Sequence, residues 1–137
     1  MLAADKTITI FNRYVDSNRK EHWSATVITG VSWQAVCSSQ TAKEGLRTSE
    51  SCIVRIPNTA DTQGKEFLFC RSFLQNQDKV WTASPRDKIV LGVVKSAPDD
   101  DTLPTWLEKN CDAVLTVSTV ADNRRVRQLP HIRIGGI

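Results

Sequence analysis

WSATVITGVSWQAVC, residues 23–37, alternates with a period of two. From Trp23 every second residue (Ala25, Val27, Thr29, Val31, Trp33, Ala35, Cys37) is apolar or Thr, and those between are mostly polar or small. Such a period belongs to a half-buried β-ribbon, because successive side chains point to opposite faces. Fifteen residues at about 3.3 Å each would span roughly 50 Å, more than an ordinary strand. Gly30 is therefore expected to be a bulge or bend where the ribbon turns a corner. If Gly30 leaves the register intact, Val27 and Trp33 share one buried face.

The rest of the chain extends this pattern. Thr7–Tyr14 is rich in β-branched and aromatic residues, and the turn-forming Asp16–Lys20 makes it a hairpin partner of the ribbon. Residues 51–57, 88–94 and 111–120 read as further strands, with shorter candidates at 67–70 and 80–82 and a last edge strand at 127–134. Residues 38–50, SSQTAKEGLRTSE, hold only Ala42 and Leu46 as apolar side chains and read as a long exposed loop. One helix is expected near 102–110, with Asp101 or Thr102 at its start, Pro104 in its first turn and Leu103, Trp106 and Leu107 on one side. The expectation is a single mainly β domain over residues 1–137. It is a small β-barrel or sandwich of about seven strands, with long loops and one short helix.

Composition agrees with a globular protein: 137 residues, 40% hydrophobic, 24% charged. The net charge of +3 permits contact with nucleic acid without arguing for it. No apolar run approaches membrane-spanning length, and MLAADKTITIF has no basic region followed by a long apolar core. The expectation is a soluble, cytoplasmic chain with no membrane partner. Cys37, Cys52, Cys70 and Cys111 form no CxxC pair and read as buried reduced thiols.

Catalytic chemistry is not legible. His22 and His131 sit in no nucleophile motif, and Gly135-Gly136 closes the chain instead of opening a phosphate-binding helix. Asp99-Asp100-Asp101 lacks the alternating acidic positions of a calcium loop and reads as a solvated acidic loop and helix cap. No enzyme, cofactor or metal is expected. The basic stretch 122–134 is more suggestive. Arg125, Arg127, His131 and Arg133 share one parity, so they form a charged stripe if they lie in one strand. Such a stripe either guards an edge against aggregation or faces phosphate or an acidic partner.

Several segments occur together in a fixed order: ITIFNRY, VITGVSWQ, IRIP, SPRDKIVLG and VLTVSTVADNRR…LPHIRIGG. This order resembles an uncharacterised family encoded among the virion genes of tailed bacteriophages and prophages. More distantly it is similar to the head-closure (stopper) proteins and head–tail connectors of the phage neck. Asp87–Gly92 matches a turn and strand opened by Asp and ended by Gly, although Arg86 stands where a Gly is common. Asp122–Arg125 with His131-Ile132-Arg133 matches a turn and final strand.

The resemblance implies a structural protein of the virion neck, made in the host cytoplasm. It would form a homo-oligomeric ring between portal or adaptor and tail proteins and contact packaged DNA non-specifically. A tail-completion or minor capsid protein, or an OB-like nucleic-acid-binding module, are the alternatives. On this reading the 38–50 segment, with Lys43 and Arg47, faces a channel or a neighbouring ring. Asp99, Asp100 and Asp101 on one edge would meet Arg124, Arg125, Arg127 and Arg133 of the next subunit.

Overall fold

The computed structural model describes residues 5–42, 45–67, 79–94, 97–111, 113–125 and 130–137. Within them the fold is mainly β. The strands are β1 (Lys6–Val15), β2 (Glu21–Ala42), β3 (Gly45–Pro57), β4 (Glu66–Phe67), β5 (Val80–Trp81), β6 (Lys88–Leu91), β7 (Val114–Asn123) and β8 (His131–Gly136). One described helix, α1 (Leu103–Asn110), stands between β6 and β7. Backbone pairing runs β1-β2-β3-β8-β7-β6 and returns to β1, every contact antiparallel. β2 and β7 pass through both halves, giving a closed yet sandwich-like arrangement. β4 and β5 form a separate parallel pair.

Gly30 is the bulge that the alternation demanded, and it inverts the expected face. Thr7 pairs with Thr29 but Lys6 pairs with Val31, so Gly30 is the extra residue, held at φ 89°. Before it the even positions Thr26 and Ile28 are buried; after it Val31 is buried and Trp33 packs at the margin of the core. Val27 is only half-buried, which corrects the expectation that Val27 and Trp33 share a buried face. A left-handed residue costs a non-glycine about 1–2 kcal/mol, so glycine suits this inversion.

The inside of the barrel is filled by Ile8, Ile10, Ile28, Val54, Ile89, Leu115 and Ile134, with Trp81 and Phe67 at one end. A second cluster lies outside the wall. Leu103 and Leu107 of α1 cover Phe11, Trp23 and Val90. Trp23 is thus buried on the outer side of β2, under the helix. β1 is consequently buried on both faces from Ile8 to Asn12.

Two other expectations change. The 38–50 segment is not an open loop: β2 and β3 stay paired from Val36–Ser51 out to Ala42–Gly45. Polar residues on both parities left no hydrophobic alternation to reveal it. Of the 127–134 region, residues 127–129 lie outside the described residues and the rest does not form an edge strand. β8 starts at His131, after Pro130, and pairs with β3 on one side and β7 on the other.

The turn before β6 is the chief polar joint. Ser84-Pro85-Arg86-Asp87 has proline at its second position, φ 80° at Arg86 and a hydrogen bond from Asp87 N to Ser84 O of 3.0 Å. A positive φ at the third position is the mark of a type II turn, where glycine is favoured. The buried Asp87 carboxylate accepts from Asn12 Nδ2 (2.9 Å), Ser84 N (2.9 Å) and Arg13 N (3.1 Å). Burial pushes this carboxyl above its ordinary value even against three donors. Asn12 also donates to Thr82 O (2.5 Å) and accepts from Thr82 N (3.3 Å), pairing the buried segment before the turn.

Two measurements test this architecture. Ile28→Ala should lower unfolding free energy by about 2–5 kcal/mol, whereas Val27→Ala should cost less than about 1 kcal/mol. The reverse order in urea titrations would mean that the parity inversion at Gly30 is wrong. Arg86→Gly should raise stability by about 0.5–1 kcal/mol, the relief of left-handed strain less the added freedom of the unfolded glycine. A loss of stability would show that Arg86 does not hold a positive φ.

Candidate functional site

Lys43 lies outside the described residues. Arg47 belongs to β3, where its backbone stands opposite Gln40. Their segment is the outer part of a two-stranded ribbon. β1 last pairs with β2 at Val31, and β8 last pairs with β3 at Cys52. From Val36–Ser51 outward, the described residues pair β2 and β3 only with each other. At about 3.3 Å per residue this arm reaches roughly 20 Å past the barrel's hydrogen-bonded wall.

The acidic residues before α1 are engaged within the chain. Asp99 Oδ1 accepts from Trp23 N (2.5 Å), and its Oδ2 lies 3.3 Å from His22 Nδ1. Asp100 accepts from the backbone N–H (2.9 Å) and the hydroxyl of Thr102, which hold its carboxyl below the ordinary value. Thr102 is the N-cap residue, although its hydroxyl turns to Asp100 instead of to the helix. Asp101 is exposed beside them. Asp99 thus fastens the α1 approach to β2, a duty that a bare run of three aspartates did not disclose.

His22 completes that fastening. Its Nε2 is 2.7 Å from Asp16 Oδ2 in the β1–β2 turn, and its ring stacks on Tyr14 with centroids 5.2 Å apart. With a carboxylate at each ring nitrogen, His22 favours the doubly protonated form and its pKa rises above 6.5, Asp16 having the largest effect and Asp99 the next. Asp16 is correspondingly lowered, chiefly by the Lys20 backbone donor and then by His22. From sequence His22 stood in no motif, because both of its partners are distant or turn-bound.

The basic residues divide. Arg124 is tied back to Asp122 through two bonds of 2.8 Å, which hold the Asp122 carboxyl below its usual range. Its guanidinium also lies 4.9 Å from the centroid of Phe67, at the rim of a cleft of about 350 Å³ that includes Trp81, Ile56 and Ile132. Arg125 is exposed in the β7–β8 turn, and Arg133 is exposed on β8. Arg127 lies outside the described residues. Of the expected stripe of Arg125, Arg127, His131 and Arg133, the structure places His131 and Arg133 on β8 and leaves Arg125 in the turn after β7. Arg55 of β3, which the sequence reading passed over, stands directly opposite Arg133.

Cys52 and Cys111 are reduced and half-buried, and among the described residues no three His, Cys, Asp or Glu side chains are placed to hold a metal ion. None of the helices among them is long and apolar enough to cross a membrane. These features define a class: a β-barrel with one outer wall sealed by a helix, another wall basic, and a projecting hairpin arm. The chain belongs to a family of unknown function (DUF6751), whose model matches residues 3–137. No curated protein and no solved structure matches it.

The His22 bridge predicts a pH response. A histidine whose folded pKa is raised contributes its full stability below about 6.5, its ordinary value, and loses it as the pH climbs through the raised value. Wild type should therefore lose stability relative to His22→Gln as the pH rises above about 6.5 in parallel urea titrations. Identical slopes in the two proteins would exclude the double carboxylate clamp.

Proposed function

We propose that this chain is a structural protein of the tailed-bacteriophage neck, a head-closure subunit that assembles as a ring between the portal or adaptor and the tail. The observation that carries this reading is the β2–β3 arm. An isolated two-stranded ribbon is marginal in water, so a long one retained beyond the barrel needs a partner outside its own domain. Strand pairing with a neighbouring subunit would occupy its open backbone edges. The fixed order of sequence segments resembling phage virion proteins supplies the biological setting. In that setting the barrel is the ring's building block, and the arm reaches toward the next subunit or the DNA channel. The subunit's role is to retain packaged DNA and present a docking surface to the tail.

A deletion tests this assignment. Removing residues 40–48, with the ribbon closed by a short turn, should leave the barrel folded and its melting temperature within a few degrees of wild type. Particles assembled with the shortened chain should lose DNA or fail to join tails. Particles that retain their DNA and infect normally would remove the arm from neck function.

A further inference from the structure

Charged residues on β8 have no edge to guard, because β8 is paired on both sides. Arg133 lies between the buried Ile132 and Ile134, so it faces outward from the barrel. Arg55 faces the same way between the buried Val54 and Ile56. The two are direct cross-strand partners. Opposed residues on neighbouring strands hold their Cβ atoms about 4.5–5.5 Å apart, and like charges so placed repel. Among the described residues Arg55 donates to the neutral Gln34 Oε1, at 3.1 Å. By register the outward positions of β7, of β8 and of β3 from Ile53 to Pro57 carry no carboxylate, and the exposed Asp122 at the end of β7 is held by Arg124. Arg125 adds an exposed cation at the end of the same half.

We propose that the outer face of β3 and β8 docks the sugar–phosphate backbone of a DNA duplex, with Arg55 and Arg133 binding neighbouring phosphate oxygens. A polyanion relieves the repulsion between the two guanidinium groups, and each phosphate contact releases condensed counterions. The rest of the face determines what kind of polyanion fits. It presents no Phe, Tyr or Trp on which unpaired bases would stack, which disfavours single strands. Thr119, Ala121 and Gly135 lie beside the arginines, and the half-buried Ile53 opposite Gly135 is this face's one large aliphatic side chain, which leaves it without the aromatic anchor of a protein interface. With no element aimed at base edges, binding is independent of sequence. That the duplex is DNA rests on the neck reading.

The test is fluorescence anisotropy of the full chain with a duplex of about 20 base pairs, across a salt series starting near 25 mM. Wild type should bind, with log K falling linearly in log salt. Arg55→Gln and Arg133→Gln should each weaken binding roughly three- to fivefold and lower the salt slope by about 1. Lysine at either position should retain the slope, which separates charge from folding. Arg19→Gln, in the β1–β2 turn, should change neither quantity. Absence of duplex binding at low salt, or glutamine variants with the wild-type slope, would overturn the proposal. So would variants that alter the oligomeric state in light scattering while keeping duplex affinity, since the face would then serve a protein partner. The assay uses the protein alone. Duplex binding by a chain absent from virions would keep this surface and discard the neck, and a neck protein without it would do the reverse.

Discussion

Closure of this barrel depends on one buried carboxylate. Asp87 opens β6, the strand that links β1 to β7, and its side chain binds both the turn behind it and β1 across from it. Its own carbonyl accepts from Val117 N at 2.9 Å, extending the joint to β7. Three elements therefore meet at one residue. An unpaired carboxylate in that position would cost several kcal/mol, whereas three donors make its burial tolerable. Asn12 has a complementary duty, because the buried segment at Thr82 and Ala83 lies outside any strand and still needs backbone partners. β6 is only four residues long, so side-chain bonds stabilise a junction where the backbone ladder is short.

What could be read from sequence follows the reach of hydrophobic periodicity. The 23–37 alternation correctly announced a long ribbon with an irregularity at Gly30. It misassigned the face, because one extra residue changes the parity on either side and the sequence does not say which side looks inward. Trp23 misled for another reason. Its burial is real but comes from α1, an element far along the chain, so an apolar position indicated coverage without indicating by what. The arm was invisible, since polar residues at both parities resemble a loop and only backbone pairing distinguishes them. Arg86 was legible in part: it occupies a place where the resembled pattern has glycine, and the backbone there has the positive φ that glycine favours.

The candidate charges were harder to read, because charge indicates polarity and not partnership. Asp99, Asp100 and Arg124 looked like surface groups awaiting another molecule, yet each has an intramolecular partner set by the fold. Arg55 seemed unexceptional within a strand and became informative only when the β3–β8 register put Arg133 opposite it. Cross-strand partners at that separation are set by topology, and topology is what local patterns leave open.

The two outer walls of the barrel thereby acquire different roles. In the ring of strands, β1 and β8 are opposite members, as are β6 and β3. The wall over β1 and β6 is closed by α1, whose buried leucines seal Phe11, Trp23 and Val90 from water, and the His22 bridge secures the approach to that helix. Among the described residues no helix covers the wall over β3 and β8, which carries the opposed arginines. β3 also continues outward into the arm, so the open wall and the arm are consecutive parts of one strand. Any force on the arm is transmitted along that backbone directly to the strand holding Arg55. On the proposed function, such a subunit would couple its contacts at the arm to those on the wall of Arg55 and Arg133 along one continuous strand.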